Sequence, residues 1–350
     1  MKTLLIYGSY GYTGELIVEK AVAAGLKPIL SGRRREALQA QAEPLGLQFR
    51  VADVNDSAQL DQALAGVDVV LHCAGPFSKT AKSMMEACIR NRAHYLDITG
   101  EIAVFELGVR LGHKAEEAGI AIFPGVGFDV VPSDCLAAHL KKRLPTATHL
   151  SLGFQALGGT SHGTASTMVE NIDQGGAIRR DGKIVQVPSA YAVRTIDFGR
   201  GPTGAVTIPW GDVSTAFQST QIPNIQVFIG LPRASIRGLQ LSRYLQPLLK
   251  LPAVKRFLQS RVDAAPRGPT PEQRARGKSL LWGEATDSSG KTVVSRLKGP
   301  EGYTLTADSA VLIAQKALNG ELRPGFLTPS LAFGPDFVLQ LPGVTREDLP

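Results

Sequence analysis

The chain has 350 residues, 43% of them hydrophobic and 20% charged. That composition excludes an intrinsically disordered protein and suits two folded domains of about 150 residues each. Its 38 lysines and arginines outnumber 31 acids for a formal charge of +7, a balance that nucleic acid, a membrane surface or an anionic small molecule would each explain. Cys73, Cys88 and Cys135 are too few and too scattered for a disulfide framework or a zinc knuckle, so a reducing compartment and no metal are expected. No apolar run reaches the ~20 residues of a membrane-spanning helix, and the N-terminal apolar stretch is too short for a signal-peptide core. The expected location is cytoplasmic.

Residues 3–7 read as a buried strand, and 14–24 as an amphipathic helix ended by Gly25. The alternation repeats, with strands over 27–31, 48–53, 67–73, 95–98 and 121–124 separated by helices over 34–43, 57–64, 79–91 and 103–118. Apolar strands alternating with helices predict an α/β fold whose doubly wound parallel sheet ends near residue 130. From residue 149 onward hairpin signals enter at Arg180-Asp181-Gly182-Lys183 and Ser288-Ser289-Gly290. Stretches 204–209, 224–230 and 279–285 predict a largely antiparallel sheet, with helices over 165–173 and 306–318. The expected organisation is a domain over 1–130, a second α/β domain over 131–320, and a tail over 321–350 packing back on the body.

The first strand runs into Gly8-Ser9-Tyr10-Gly11-Tyr12-Thr13-Gly14, followed at once by a helix. In a doubly wound sheet this turn binds a dinucleotide pyrophosphate, because glycines let the backbone approach and the helix N-terminus offers free N–H groups. The spacing is G-x-x-G-x-x-G, with Ser9 where the usual pattern has an additional glycine. The second strand ends in Ser31-Gly32-Arg33-Arg34-Arg35 with no acid for a ribose hydroxyl. A guanidinium at Arg33 or Arg34 suits a 2′-phosphate, so NADP(H) is the expected cofactor. Asp53 closes the third strand, either meeting the adenine or capping a helix. Cys73-Ala74-Gly75-Pro76-Phe77 closes the fourth beside the expected nicotinamide ribose, its small residues permitting close contact; Cys73 reads as a small buried hydrophobe rather than a nucleophile.

These segments, with YLDITGE (95–101), GVGFDVVPSD (125–134), GTSHGTAST (159–167), RGPTPEQRARGKSLLWGEA (267–285) and GFLTPSLAFG (325–334), resemble the saccharopine dehydrogenase-like oxidoreductases, a group that includes trans-acting enoyl reductases. The resemblance implies an NADP-binding Rossmann domain followed by an α/β substrate domain that often mediates dimerisation, so a homodimer is expected. Hydride transfer also needs an acceptor double bond and a proton source. Candidates follow the later strands: Tyr95, Asp97, Thr99 and Glu101 after one, Phe128, Asp129 and Asp134 after the next. Asp129 is the leading catalytic candidate, with a turn or cap as its other reading.

Gly159-Thr160-Ser161-His162-Gly163 matches the G-x-S-x-G nucleophile elbow of serine hydrolases. That fold places its histidine after the serine, yet no histidine follows His162. The glycines more simply permit a turn whose Ser or Thr caps a helix, leaving His162 as a structural or substrate-contacting residue. Residues 233–278 hold eleven cations and two acids. Apolar residues between the charges fit two short amphipathic helices, separated near Pro247 and Pro252, that pack on the body, join another subunit, or lie on an anionic membrane through 233–262. Nucleic-acid binding would want a recognised fold or exposed aromatics among the basic residues, and neither is present. The expected function is an NADP(H)-dependent oxidoreductase reducing a C=C or C=N bond of a small or lipid-like substrate; a non-catalytic NADP-binding regulator or membrane-associated scaffold is the alternative.

Overall fold

A computed structural model describes residues 2–157, 161–170, 172, 175–242 and 251–350. It divides into two compact units, Met1–Val131 with Tyr303–Ala332, and Pro132–Gly302 with Phe333–Pro350. The expected boundary near 130 coincides with the first break. The second and third expected segments are each divided, because residues 303–332 return to the first unit and only 333–350 join the second.

The first unit carries a seven-stranded sheet. In chain order its elements are β1 (Leu4–Tyr7), α1 (Tyr12–Ala23), β2 (Ile29–Gly32), α2 (Arg35–Ala42), β3 (Phe49–Val51), α3 (Ser57–Leu64), β4 (Val69–His72), α4 (Phe77–Asn91), β5 (His94–Asp97), α5 (Ile102–Ala118) and β6 (Ala121–Phe123). All pairings are parallel, in the order β3-β2-β1-β4-β5-β6. The strand Gly325–Phe326 adds a seventh member parallel to β6. Two residues flanked by Pro324 and Leu327 leave too short a pattern for periodicity to reveal, which is why the segment reads as tail. Leu4 to Tyr7 and Val69 to His72 are buried on both faces, as helices covering a parallel sheet require.

The second unit holds a nine-stranded mixed sheet. It starts with α6 (Val131–Arg143) and β7 (Ala147–Leu157), then α7 (His162–Glu170), β8 (Gly176–Arg180), β9 (Lys183–Val187), β10 (Val193–Asp197), β11 (Pro202–Thr207), α8 (Asp212–Thr220), β12 (Asn224–Gly230) and α9 (Arg233–Ser242). Helices Pro252–Asp263 and Pro271–Arg276 precede β13 (Lys278–Asp287) and β14 (Thr292–Pro300), and Thr345–Leu349 pairs with β14. Antiparallel pairings dominate, but β12 runs parallel to β7. The β8–β9 hairpin turns on Asp181 and Gly182, whose φ angles of 48° and 76° are those of a two-residue turn matched to strand twist.

Candidate functional site

A cradle forms where β1 meets α1. Gly8 has φ 78°, and a Cβ there would lie 2.8 Å from the Ala74 Cβ and 2.9 Å from its backbone nitrogen. A Cβ on Gly14 would lie 2.3 Å from the Gly8 carbonyl oxygen, so only glycine lets these backbones meet. Gly8 N donates to Ser31 O at 2.7 Å, and Gln41 Nε2 donates to Ser9 O at 2.9 Å. Gly11 is the N-cap of α1 and provides no side-chain cap, which leaves first-turn N–H groups open as donors. Ser9 Oγ is buried with no hydrogen-bond partner among the described residues. Open amides, an unmatched hydroxyl and a helix N-terminus together fit the pyrophosphate of a dinucleotide.

One wall of the cradle is tied to the end of β2. The Arg34 guanidinium lies 4.6 Å from the Tyr10 ring centroid, and Arg34 N donates to the Tyr10 hydroxyl at 3.3 Å. Gly32 sits so close under that ring that a Cβ would come within 2.7 Å of it. Tyr10 thus holds Arg34 by stacking, a role that its loop position does not reveal in sequence. Arg33 and Arg34 are exposed, as an anion contact needs, while Ser31 is buried with its Oγ donating to Arg50 O at 2.8 Å; its side chain braces the sheet. Asp53 Oδ1 accepts from Asn55 N at 2.9 Å, and the cap of α3 is Asp56, accepting from Gln59 N. Of the two readings of Asp53, the helix cap therefore falls to Asp56. Tyr7 donates to Ala52 O at 3.0 Å, and burial pushes its phenol up to about 12.

At the end of β4, Cys73 N donates to Tyr7 O at 2.8 Å. Burial pushes the Cys73 thiol far above its ordinary value, so it holds no thiolate near neutrality. Ala74, Gly75 and Pro76 lead into α4, where Phe77 N and Ser78 N donate to the Glu101 carboxylate at 2.7 and 3.0 Å. Thr80 Oγ1 donates to Ala74 O at 2.8 Å and lies 2.9 Å from Nε2 of the buried His72, which burial keeps neutral with a pKa of about 3. Neither Thr80 nor His72 is signalled in the sequence beyond its residue type.

The ends of β5 and β6 are joined through Asp97. It accepts from the Tyr95 hydroxyl at 2.6 Å and from Thr99 N and Gly125 N at 2.9 Å each, and burial raises it to about 6. Tyr95, Asp97 and Thr99 are all fully buried. All three are substrate candidates by sequence, and in the structure the polar group of each is engaged within the fold, Thr99 Oγ1 accepting from Glu101 N at 3.0 Å. Phe128 N donates to Thr306 Oγ1 at 3.0 Å, and Ser309 Oγ donates to Val126 O at 2.7 Å, so the helix Gly302–Leu318 fixes the glycine-rich turn. Tyr12 packs edge-on to Tyr303 at 5.1 Å.

Asp129 follows this turn and is half-buried. Its carboxylate lies against Gly100, where a Cβ would come within 2.6 Å of Oδ2. Burial first and the Glu101 charge second push it up to about 7. A carboxyl poised there can hold or release a proton at neutral pH.

His162 belongs to the second unit. Its backbone nitrogen donates to Arg267 O at 3.0 Å and its Nε2 lies 2.5 Å from Ala265 O. Ser161 Oγ accepts from Thr164 N at 3.3 Å, capping α7; Gly159 and Thr160 lie outside the described residues. The structural reading of this motif accounts for each of these contacts. In the basic segment, Ile236 of α9 is buried beside Val206 and Ala190. Helix Pro252–Asp263 lies on α7 through Lys255 Nζ to Glu170 O and Gln259 Nε2 to Ser166 Oγ, both 2.9 Å. Neither of those two helices has a buried residue, and Leu241, Leu251, Phe257 and Met168 are exposed. Both helices of the basic segment thus pack on the second unit, α9 through buried Ile236 and helix Pro252–Asp263 on α7 with Leu251 and Phe257 left exposed; residues 243–250, with Pro247, lie outside the described residues. Among the described residues no cluster of metal-ligating side chains is found, and no helix is long and apolar enough to cross a membrane.

A doubly wound parallel sheet with a glycine cradle at the first strand-to-helix turn and exposed arginines after β2 defines a dinucleotide-binding domain. Residues 4–123 match the saccharopine dehydrogenase NADP binding domain, a match that gives NADP(H) as the cofactor. A human saccharopine dehydrogenase-like oxidoreductase is 28% identical over 40% of this chain and 38% of its own length. A trans-acting enoyl reductase of Mycobacterium bovis is 30% identical over 40% of this chain and 35% of its own. The chain thus spans less than two fifths of these relatives. A lipid droplet localized protein of Caenorhabditis elegans is 23% identical over 95% of this chain and 93% of its own. The fold of both units is shared with apo saccharopine dehydrogenase (L-Glu forming) from Saccharomyces cerevisiae, with a TM-score of 0.67 at 14% identity and full coverage of both chains.

Proposed function

We propose that the protein transfers hydride between NADP(H) and a C=C or C=N bond of a small or lipid-like substrate, with Asp129 exchanging the proton. The observation that carries the reading is one carboxyl raised to about 7 in the same unit as the glycine cradle and the Tyr10–Arg34 wall. The mycobacterial relative, by name an enoyl reductase, favours a C=C acceptor. In reduction Asp129 must be protonated to donate, so turnover should fall as pH rises through about 7. Asp129→Asn keeps the shape and removes the proton. With a panel of enoyl and imine substrates, the variant should lose roughly 10²- to 10⁴-fold in kcat while binding NADPH unchanged. Absence of turnover by the unaltered protein on the whole panel would favour a non-catalytic NADP-binding regulator instead.

A second reading concerns location. We propose that helix Pro252–Asp263 meets an anionic membrane surface, supported by the exposure of Leu251 and Phe257 beside Arg256 and Arg261. The nematode relative, named for lipid droplets, points the same way. Flotation with vesicles containing anionic lipid should be lost in Phe257→Asp; equal flotation of both forms, or none by either, would remove the idea.

A further inference from the structure

The second unit contains a concentration of positive charge that neither the cofactor nor the basic helices explain. A cleft of about 740 Å³ is lined by Arg200, Arg276, Lys278, Arg296, Lys298 and Arg346, with Glu347 as its one acid and Phe198 and Leu280 as apolar members. The register of the sheet produces this grouping. Lys278 and Leu280 of β13 pair with Pro300 and Lys298 of β14, and Trp282 with Arg296, so alternate residues of two strands share one face.

Two of the guanidinium groups are anchored by acids. Arg296 pairs with Asp197 at 2.9 Å and Arg346 with Asp336 at 2.5 Å. Arg200, Arg276, Lys278 and Lys298 are exposed, and among the described residues their side chains have no hydrogen-bonding or ionic partner. Their backbones are nevertheless set. Asp197 Oδ1 accepts from Gly199 N and Gly201 N at 2.8 and 3.0 Å, pinning the turn that carries Arg200. A capping box at Thr270 and Gln273 fixes the short helix that ends in Arg276. Four unmatched cations held around one concavity repel each other, and an anion between them relieves that repulsion.

We propose that this cleft binds a small polyanion, a ligand with two or more phosphoryl or carboxylate groups. Its volume lies within the ~300–1,000 Å³ range of small-molecule sites. Arginines offer forked donors to a phosphoryl or carboxylate group and lysines add point charges, while Phe198 and Leu280 give an apolar portion a place to lie. The site is built wholly from residues of the second unit, and two of the eleven cations of the 233–278 segment, Arg276 and Lys278, belong to it.

Tripolyphosphate and citrate would each be titrated calorimetrically into the full chain saturated with NADPH, so that the glycine cradle is already filled. The expected result is one site per chain, weakened at least tenfold in Lys278→Ala/Lys298→Ala with NADPH affinity unchanged. Tighter tripolyphosphate identifies a phosphorylated ligand and tighter citrate a polycarboxylate; both sustain the proposal. Equal heats from the two proteins, no binding, or a smaller oligomer of the double variant in gel filtration would overturn it, the last by assigning the cations to a contact with another copy.

Discussion

Two helices of the first unit begin at the carboxyl edge of the same parallel sheet, yet their N-termini are treated in opposite ways. At α4, the Glu101 carboxylate accepts from Phe77 N and Ser78 N, so the protein supplies its own anion to the helix end. At α1 the cap is Gly11, with no side-chain acceptor, and the neighbouring Ser9 hydroxyl is left buried and unmatched. A helix N-terminus attracts negative charge in either case. One is satisfied within the fold, and the other is left without a side-chain acceptor, as the proposed cofactor site requires.

The largest break in this comparison should come from Gly14→Ala. Its Cβ would fall 2.3 Å from the Gly8 carbonyl oxygen, so the loop must open and the donors must lose their common aim. NADPH affinity, read by fluorescence titration, should drop about 100-fold, or ~3 kcal/mol, with circular dichroism still showing a folded protein. Unchanged affinity would mean that the open N-terminus is not the cofactor site.

A smaller effect is expected at the closed end. Glu101→Ala removes both acceptors from α4 and should destabilise the protein by about 1–2 kcal/mol in chemical denaturation. It also removes the charge that helps to raise Asp129, so the falling limb of the pH–rate profile should move to lower pH. A limb that stays in place would separate Glu101 from the proton-exchanging carboxyl.

The open site is the more legible of the two in sequence. Gly8, Gly11 and Gly14 stand at fixed spacing where a buried strand passes into a helix, and the Arg33–Arg34 pair stands where an acid would close β2. Such features are local. Glu101 reaches α4 from 23 and 24 residues away, and its role follows from strands β4 and β5 lying side by side, which residue spacing does not encode. The burial of Tyr95 and Asp97 was hidden for the same reason, since polar residues at the carboxyl end of a strand are equally suited to a ligand or to bracing a turn. Residues 325–326 illustrate a further limit, because a two-residue strand has no periodicity and joins the sheet only through pairing with β6. Tyr10 combines both cases: its place in the glycine loop is visible, whereas its stacking on Arg34 is a tertiary contact.

The central claim is that the open helix end and the Tyr10–Arg34 wall together select a dinucleotide with a 2′-phosphate. Titrating the purified protein and its Arg34→Ala variant with NADPH and NADH tests that claim most directly. The unaltered protein should bind NADPH at least tenfold more tightly than NADH, and the variant should lose most of that preference while its NADH affinity changes little. Binding of neither nucleotide, or a preference for NADH, would contradict the account.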